Sequence, residues 1–129
     1  MEQNSKKVLV VEDEGAMRDI VTHKLQSHGF TVSQAVDGKE ALEVFNKEHP
    51  DLILLDLMLP EIDGFTVLDT IRHLPDKKLA ETPIIILSNL WSDKDILRVR
   101  ELIISDYMVK AYFTTEEILK KVNEVLKIA

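Results

Sequence analysis

Glu12 and Asp13 follow the apolar run VLVV, Asp56 follows LILL, and Ser88 follows IIIL. A strand buried on both faces reads as a short continuous apolar run, so each of these polar residues stands where a strand leaves the core. Carboxylates gathered within a few ångströms stay ionised only if a cation neutralises them; otherwise one takes a proton. With no cysteine in the chain, a metal must be held by oxygen or imidazole ligands, which favours a hard cation. Magnesium suits such a site, because it binds through one or two carboxylates plus phosphate oxygens and keeps several waters. A carboxylate is also a nucleophile toward phosphorus once the charge on the transferring group is neutralised. Ser88 and Lys110, each at the C-terminal end of an apolar segment, offer a hydroxyl and a point charge for that purpose.

The elements that must position these residues are readable from periodicity. The first strand spans Lys7 to Val11, and a helix follows from about Gly15 to Ser27, with Met17, Ile20, Val21 and Leu25 on one face and Gly29 ending it. A weaker strand covers Phe30 to Ala35. Asp37 then caps a helix bearing Ala41, Leu42 and Phe45, with Glu40 placed to reach back. Leu52 to Leu55 is the most hydrophobic strand, and Pro60 and Asp63-Gly64 mark the loop after it. A third helix carries Val67, Leu68, Ile71 and Leu74 until Pro75. Ile84 to Leu87 is the fourth strand, Ser92 caps a fourth helix, Tyr107 to Val109 is the fifth strand, and Thr114 with Glu117 forms a capping box for the last helix.

Five strands alternating with five helices predict an α/β fold, a doubly wound parallel sheet with right-handed crossovers and both faces covered. Such a sheet commonly takes the flavodoxin-like order 2-1-3-4-5, whose crevice lies between the first and third strands, where Glu12, Asp13 and Asp56 converge. The 129 residues fit one domain, 1–129 with a core of about 6–126. No apolar stretch approaches a membrane span and the N-terminus lacks a signal-peptide pattern, so a cytoplasmic protein without membrane contact is expected. A net charge of −7 argues against direct nucleic-acid binding.

VLVVEDE, DLILLDLMLPEIDG, PIIILS and DYMVKA, in this order and spacing, resemble the receiver domain of bacterial two-component response regulators. The resemblance runs from about Lys6 to Leu126. It implies a stand-alone, chemotaxis-regulator-like phosphorelay switch, not an enzyme. Asp56 is then the phosphoacceptor. Mg2+ or Mn2+ is held by Asp13, Asp56 and the backbone carbonyl of Met58, with Glu12 contributing directly or through water. Ser88 and Lys110 contact the phosphoryl group, and Tyr107 changes rotamer when Ser88 moves. The implied partners are a histidine kinase or histidine phosphotransfer protein upstream and a protein target downstream, with phosphorylation-dependent homodimers through the output face. That face is formed by the fourth helix, fifth strand and fifth helix, with Leu97, Val99, Ile103, Ile104 and Tyr107 as docking residues. Only three residues follow Leu126, so no attached output domain is expected.

The chain departs from the family pattern in three places. Ala111 stands after Lys110 where proline is usual, often in a cis bond. Asn89 replaces a small residue and brings an amide to the phosphoryl-binding site, as a donor or as an obstacle to attacking water. Ile103-Ile104 replaces a common Gly-Ala. Outside this context the same residues have ordinary readings: Glu12-Asp13-Glu14 as a solvated helix start, Asp56 and Ser88 as caps, Tyr107 as packing, Lys110 as a surface lysine. Glu14 fits the ordinary reading, and the four histidines form no cluster. Rival functions are a pseudo-receiver that docks without phosphorylation, supported by Asn89 and Ala111, and a phosphohydrolase, which lacks a second acid because that position is Met58. A nucleotide-binding domain lacks the Gly-rich loop after the first strand.

Overall fold

A computed structural model describes residues 6–89, 93–100, 102 and 104–128. Strands β1 (Lys7–Val11), β2 (Thr31–Ala35), β3 (Leu52–Leu55), β4 (Ile84–Ser88) and β5 (Asp106–Val109) form one parallel sheet in the order β2-β1-β3-β4-β5. The helices are α1 (Gly15–Gln26), α2 (Gly38–Glu48), α3 (Gly64–Arg72), α4 (Lys77–Ala80), α5 (Asp93–Arg100) and α6 (Thr115–Leu126), with a 3-10 turn at Lys110–Tyr112. The α/β class and strand order agree with the sequence reading.

Side chains alternate between the two faces of each strand. Leu9, Val11, Ile53, Leu55, Ile84 and Ile86 pack with Phe45 of α2, Leu68 and Ile71 of α3 and Val99 of α5. Val8, Val10, Leu52, Leu54, Ile85, Leu87 and Met108 pack on the other face with Val21 and Leu25 of α1 and Ile118 and Val122 of α6. Both faces are apolar, which is why β1, β3 and β4 read as unbroken hydrophobic runs. Among the described residues no helix is long and apolar enough to cross a membrane.

The expected caps at Asp37 and Thr114 are present, the latter as a complete capping box. Glu40 reaches one residue further back than a capping box requires, its Oε1 accepting from Val36 N–H at 2.9 Å. Gly29 has φ 91°, a conformation open to glycine, at the turn after α1. The short α4 is a sixth helix beyond the five expected. A single turn of four residues holds no apolar periodicity, and it stands on Asp76, whose Oδ1 accepts from Lys78 and Leu79 N–H. Ser92 and Ile103 lie outside the described residues. Val99 is wholly buried in the core, so it cannot belong to a docking surface, whereas Leu97 is 61% exposed.

Arg72 closes the end of the sheet opposite the acidic residues. Its guanidinium donates to Leu102 O at 2.9 Å, Ala80 O at 2.9 Å and Thr82 O at 2.8 Å, joining α3 to the segments on either side of β4. Burial pulls its pKa below the ordinary arginine value, partly opposed by the charge of Glu81.

Candidate functional site

The register of the sheet brings the acidic residues together. Val11 pairs with Leu55, so Glu12 and Asp56 each stand one residue past adjacent strands. The ladder continues through them, because Asp56 N–H donates to Val11 O at 3.1 Å and Glu12 N–H donates to Ala35 O at 3.0 Å. On the other side of β4, Ser88 pairs with Val109, which puts Lys110 one residue past β5.

Alternation then decides which side chains meet. Val10, Leu54, Leu87 and Met108 share one face of the sheet, and two residues further along their strands stand Glu12, Asp56, Asn89 and Lys110. Lys110 Nζ lies 2.7 Å from Asp56 Oδ2 and also pairs with Glu12 Oε1. Ser88 has the opposite parity, shared with Ile84 and Ile86, and is completely buried. Tyr107 packs against that same side. An open cleft of about 590 Å³ is lined by Glu12, Asp13, Glu14, Met17, Asp56, Met58, Asn89, Lys110 and Ala111, and Ser88 does not line it.

Carboxylate oxygens of Glu12, Asp13 and Asp56, one from each, lie within 4.8 Å of one another. Three hard anionic donors at that separation on one open cleft fit a divalent cation such as magnesium. Met58 borders the cleft, and its N–H donates to Asp56 Oδ1 at 3.1 Å, orienting the carboxylate. Burial pushes the Glu12 carboxyl above its ordinary range, and the hydrogen bond from Lys110 offsets only part of that shift. Burial also weakens the hold of Lys110 on its proton, but its two carboxylate partners overcome this and raise its pKa. The Lys110 ammonium thus serves two buried carboxylates at once.

Several contributors leave little trace in the sequence. Arg18 Nη1 donates to Glu12 O at 2.9 Å and to Asp13 O at 3.4 Å, bracing the acidic turn from α1. Glu14 caps α1 by accepting from Met17 N–H, in keeping with its ordinary reading. Gly64 is required by space: a Cβ there would lie 2.2 Å from Asp56 O and 2.6 Å from Leu57 Cα. Among the described residues no peptide bond is cis, so Lys110-Ala111 is trans, and Lys110 reaches Asp56 from the 3-10 turn. Asn89 Oδ1 accepts from Ala111 N–H at 3.1 Å.

Comparison with known proteins places this arrangement. The response regulator receiver domain family matches residues 8–123. The chain is similar to "Probable transcriptional regulator ycf27" of Cyanophora paradoxa, 39% identical over 127 residues, covering 98% of this chain and 51% of that protein. It is also similar to "DNA-binding dual master transcriptional regulator RpaA" of Synechocystis sp., 36% identical over 121 residues, covering 94% of this chain and 49% of that protein. The chain therefore spans about half the length of the curated relatives it matches. Among solved structures, the Francisella response regulator 1452 receiver domain superposes with a TM-score of 0.84 at 33% identity, over 95% of this chain and 98% of that one. The chemotaxis response regulator CheY4 of Vibrio cholerae gives 0.84 at 31%, over 95% and 99%. With the family matching most of its length, and with the sheet order and acidic crevice that its sequence predicts, the chain belongs to the response regulator receiver domains.

Proposed function

We propose that this receiver is a phosphorylation-controlled switch in which Asp56 accepts a phosphoryl group. The observation that carries the reading is the convergence of Glu12, Asp13 and Asp56 with Lys110 at the C-terminal ends of β1, β3 and β5. Glu12, Asp13, Asp56 and the Met58 carbonyl would hold Mg2+ or Mn2+, which neutralises charge on the transferring group when bound. An Asp56 carboxylate oxygen attacks phosphorus while the bond to the donor's imidazole nitrogen or acyl oxygen breaks, and the donor leaves with that electron pair. Lys110 releases part of its hold on Asp56 and Glu12 and turns its ammonium to the phosphoryl oxygens. Ser88 lies behind the cleft and would follow the new charge with its hydroxyl, drawing Tyr107 with it.

The phosphodonor is a histidine kinase or histidine phosphotransfer protein, and a small acyl phosphate can replace it because the nucleophile and its surroundings belong to this chain. Phosphorylation replaces a carboxylate by a group of about −2 charge, which biases an existing two-state equilibrium at the face of α5, β5 and α6. A downstream protein, or a second copy of the chain, reads that face in the cytoplasm. The process it serves is transcriptional control, the role that the names of its relatives give to those proteins. With a net charge of −7, the receiver acts on a protein and not on DNA itself. It is a switch and not a turnover enzyme, since Met58 supplies no side-chain acid two residues after Asp56.

The test is intact mass after incubation with a small acyl phosphate, with and without magnesium, beside Asp56→Asn. A gain of one phosphoryl group that needs both magnesium and Asp56 is expected. No gain by a folded chain would leave the docking module that works without phosphorylation.

A further inference from the structure

We infer that Asn89 and Ala111 form a latch that positions Lys110 in the acidic cleft. The inference rests on the receiver reading only where it concerns phosphorylation rate. Ser88 and Val109 are the last paired residues of β4 and β5, and the bond from Ala111 N–H to Asn89 Oδ1 lies just beyond them. A side-chain amide thereby prolongs the strand pairing past its backbone end and closes the turn that begins at Lys110. Two residues 22 positions apart are joined across the mouth of the site, one flanking Ser88 and the other flanking Lys110.

The two residue types depend on each other. Alanine has a backbone N–H to donate, and a proline at position 111 would have none. Asparagine supplies an acceptor of the required reach, and accepting through Oδ1 fixes the orientation of its amide, leaving the NH2 as the donor available to the cleft that Asn89 lines. Without the bond, the backbone at Lys110 begins a three-residue 3-10 turn whose closing bond, Phe113 N–H to Lys110 O, is long at 3.4 Å. With it, the backbone beside Lys110 is tied to the end of a buried strand. The two departures from the family pattern are thus one device, and Asn89 is a positioning residue that acts through Ala111.

The test uses the full chain as Asn89→Leu, Asn89→Asp, Ala111→Pro and the double variant Asn89→Leu/Ala111→Pro. Asn89 is exposed, so its substitution leaves the core intact. Hydrogen exchange at the Ala111 amide should quicken about tenfold in Asn89→Leu, the equivalent of one hydrogen bond. The nitrogen-15 signal of the held Lys110 ammonium should broaden in the same variant. Asn89→Asp, which keeps an acceptor oxygen, should retain both signatures. With acetyl phosphate and magnesium, Asn89→Leu and Ala111→Pro should each slow phosphorylation by about tenfold, and the double variant should be no slower than the slower single one, since both remove the same bond. An unchanged Ala111 amide or Lys110 signal in Asn89→Leu, or rate losses that multiply in the double variant, overturns the latch. A wild-type chain that takes no phosphoryl group defeats the receiver reading alone, because the two NMR signatures need no phosphodonor.

Discussion

Lys110 and Asp56 stand 54 positions apart in the chain and meet Nζ to Oδ2 at 2.7 Å, with Glu12 on the same ammonium. A cation entering the cleft must compete with that ammonium for the same oxygens. Replacing Lys110 by methionine strands two buried carboxylates and should cost about 3 kcal/mol of stability in metal-free buffer. Magnesium should stabilise Lys110→Met more than the wild type, because its ligands are no longer shared. Urea unfolding with and without magnesium reads both effects, and equal stabilisation of the two proteins would contradict the competition.

Glu12 is where the site works against the fold. Its folded pKa lies above the ordinary 4.5 because burial disfavours the charge, so between 4.5 and that raised value the folded chain keeps a proton there that the unfolded chain has released. The stability from this proton is present below 4.5 and is lost as pH rises through the raised value. Glu12→Gln should flatten that part of the pH profile and stabilise the metal-free chain at neutral pH by about 1 kcal/mol, while weakening magnesium binding by about tenfold. Chemical denaturation across this pH range, paired with calorimetric magnesium titration, checks the trade. A less stable Glu12→Gln chain at neutral pH would refute it.

Gly64→Ala should act on the phosphoacceptor from behind. The added Cβ meets the backbone of Asp56 and Leu57, which cannot yield as a flexible side-chain tip would. A loss of about 3 kcal/mol is expected, together with slower phosphorylation because Asp56 itself must shift. Thermal unfolding and the phosphorylation rate should both fall; a loss of stability with an unchanged rate would show that the loop absorbs the strain.

Tyr107 carries a phenol pushed up to about 12, by burial first and then by the charges of Asp95 and Asp56. The folded chain therefore keeps this proton when the unfolded chain releases it near 10, and the associated stability is lost as pH rises from 10 toward 12. With Tyr112 changed to phenylalanine, Tyr107 is the one tyrosine left. Ultraviolet absorbance of phenolate in that variant should then show a midpoint near 12. A midpoint near 10 would mean that the ring is not held against the core as the structure has it.

Strands β1, β3 and β4 were legible because burial on both faces leaves an unbroken apolar run that stops abruptly at Glu12, Asp56 or Ser88. Helix starts were legible where a side chain caps, as at Asp37 and Thr114. Strand parity carries a further signal: counting two residues on from Leu87 or Met108 reaches Asn89 and Lys110, while Ser88 falls on the opposite face. The α4 turn was too short for any periodicity. Arg72 binds carbonyls, which every residue possesses, so nothing in its neighbours announces its role. Asn89 and Ala111 were each visible as departures, but a bond across 22 positions depends on the β4–β5 register, which pattern alone does not supply.

The hydrogen-bond ladder that runs on through Glu12 and Asp56 makes the two halves of the site mechanically unequal. Both acids are held at their backbone by β1, β2 and β3, so their separation has the stiffness of the sheet. The backbone at Lys110 sits instead in a three-residue turn, whose next residue, Ala111, is bonded to the Asn89 side-chain amide. Charge arriving at Asp56 must therefore be answered by movement on the β4–β5 side, while the β1–β2 side stays still. Displacement on phosphorylation should be confined to the elements flanking β5, and α1 and α2 should keep the same positions in both states.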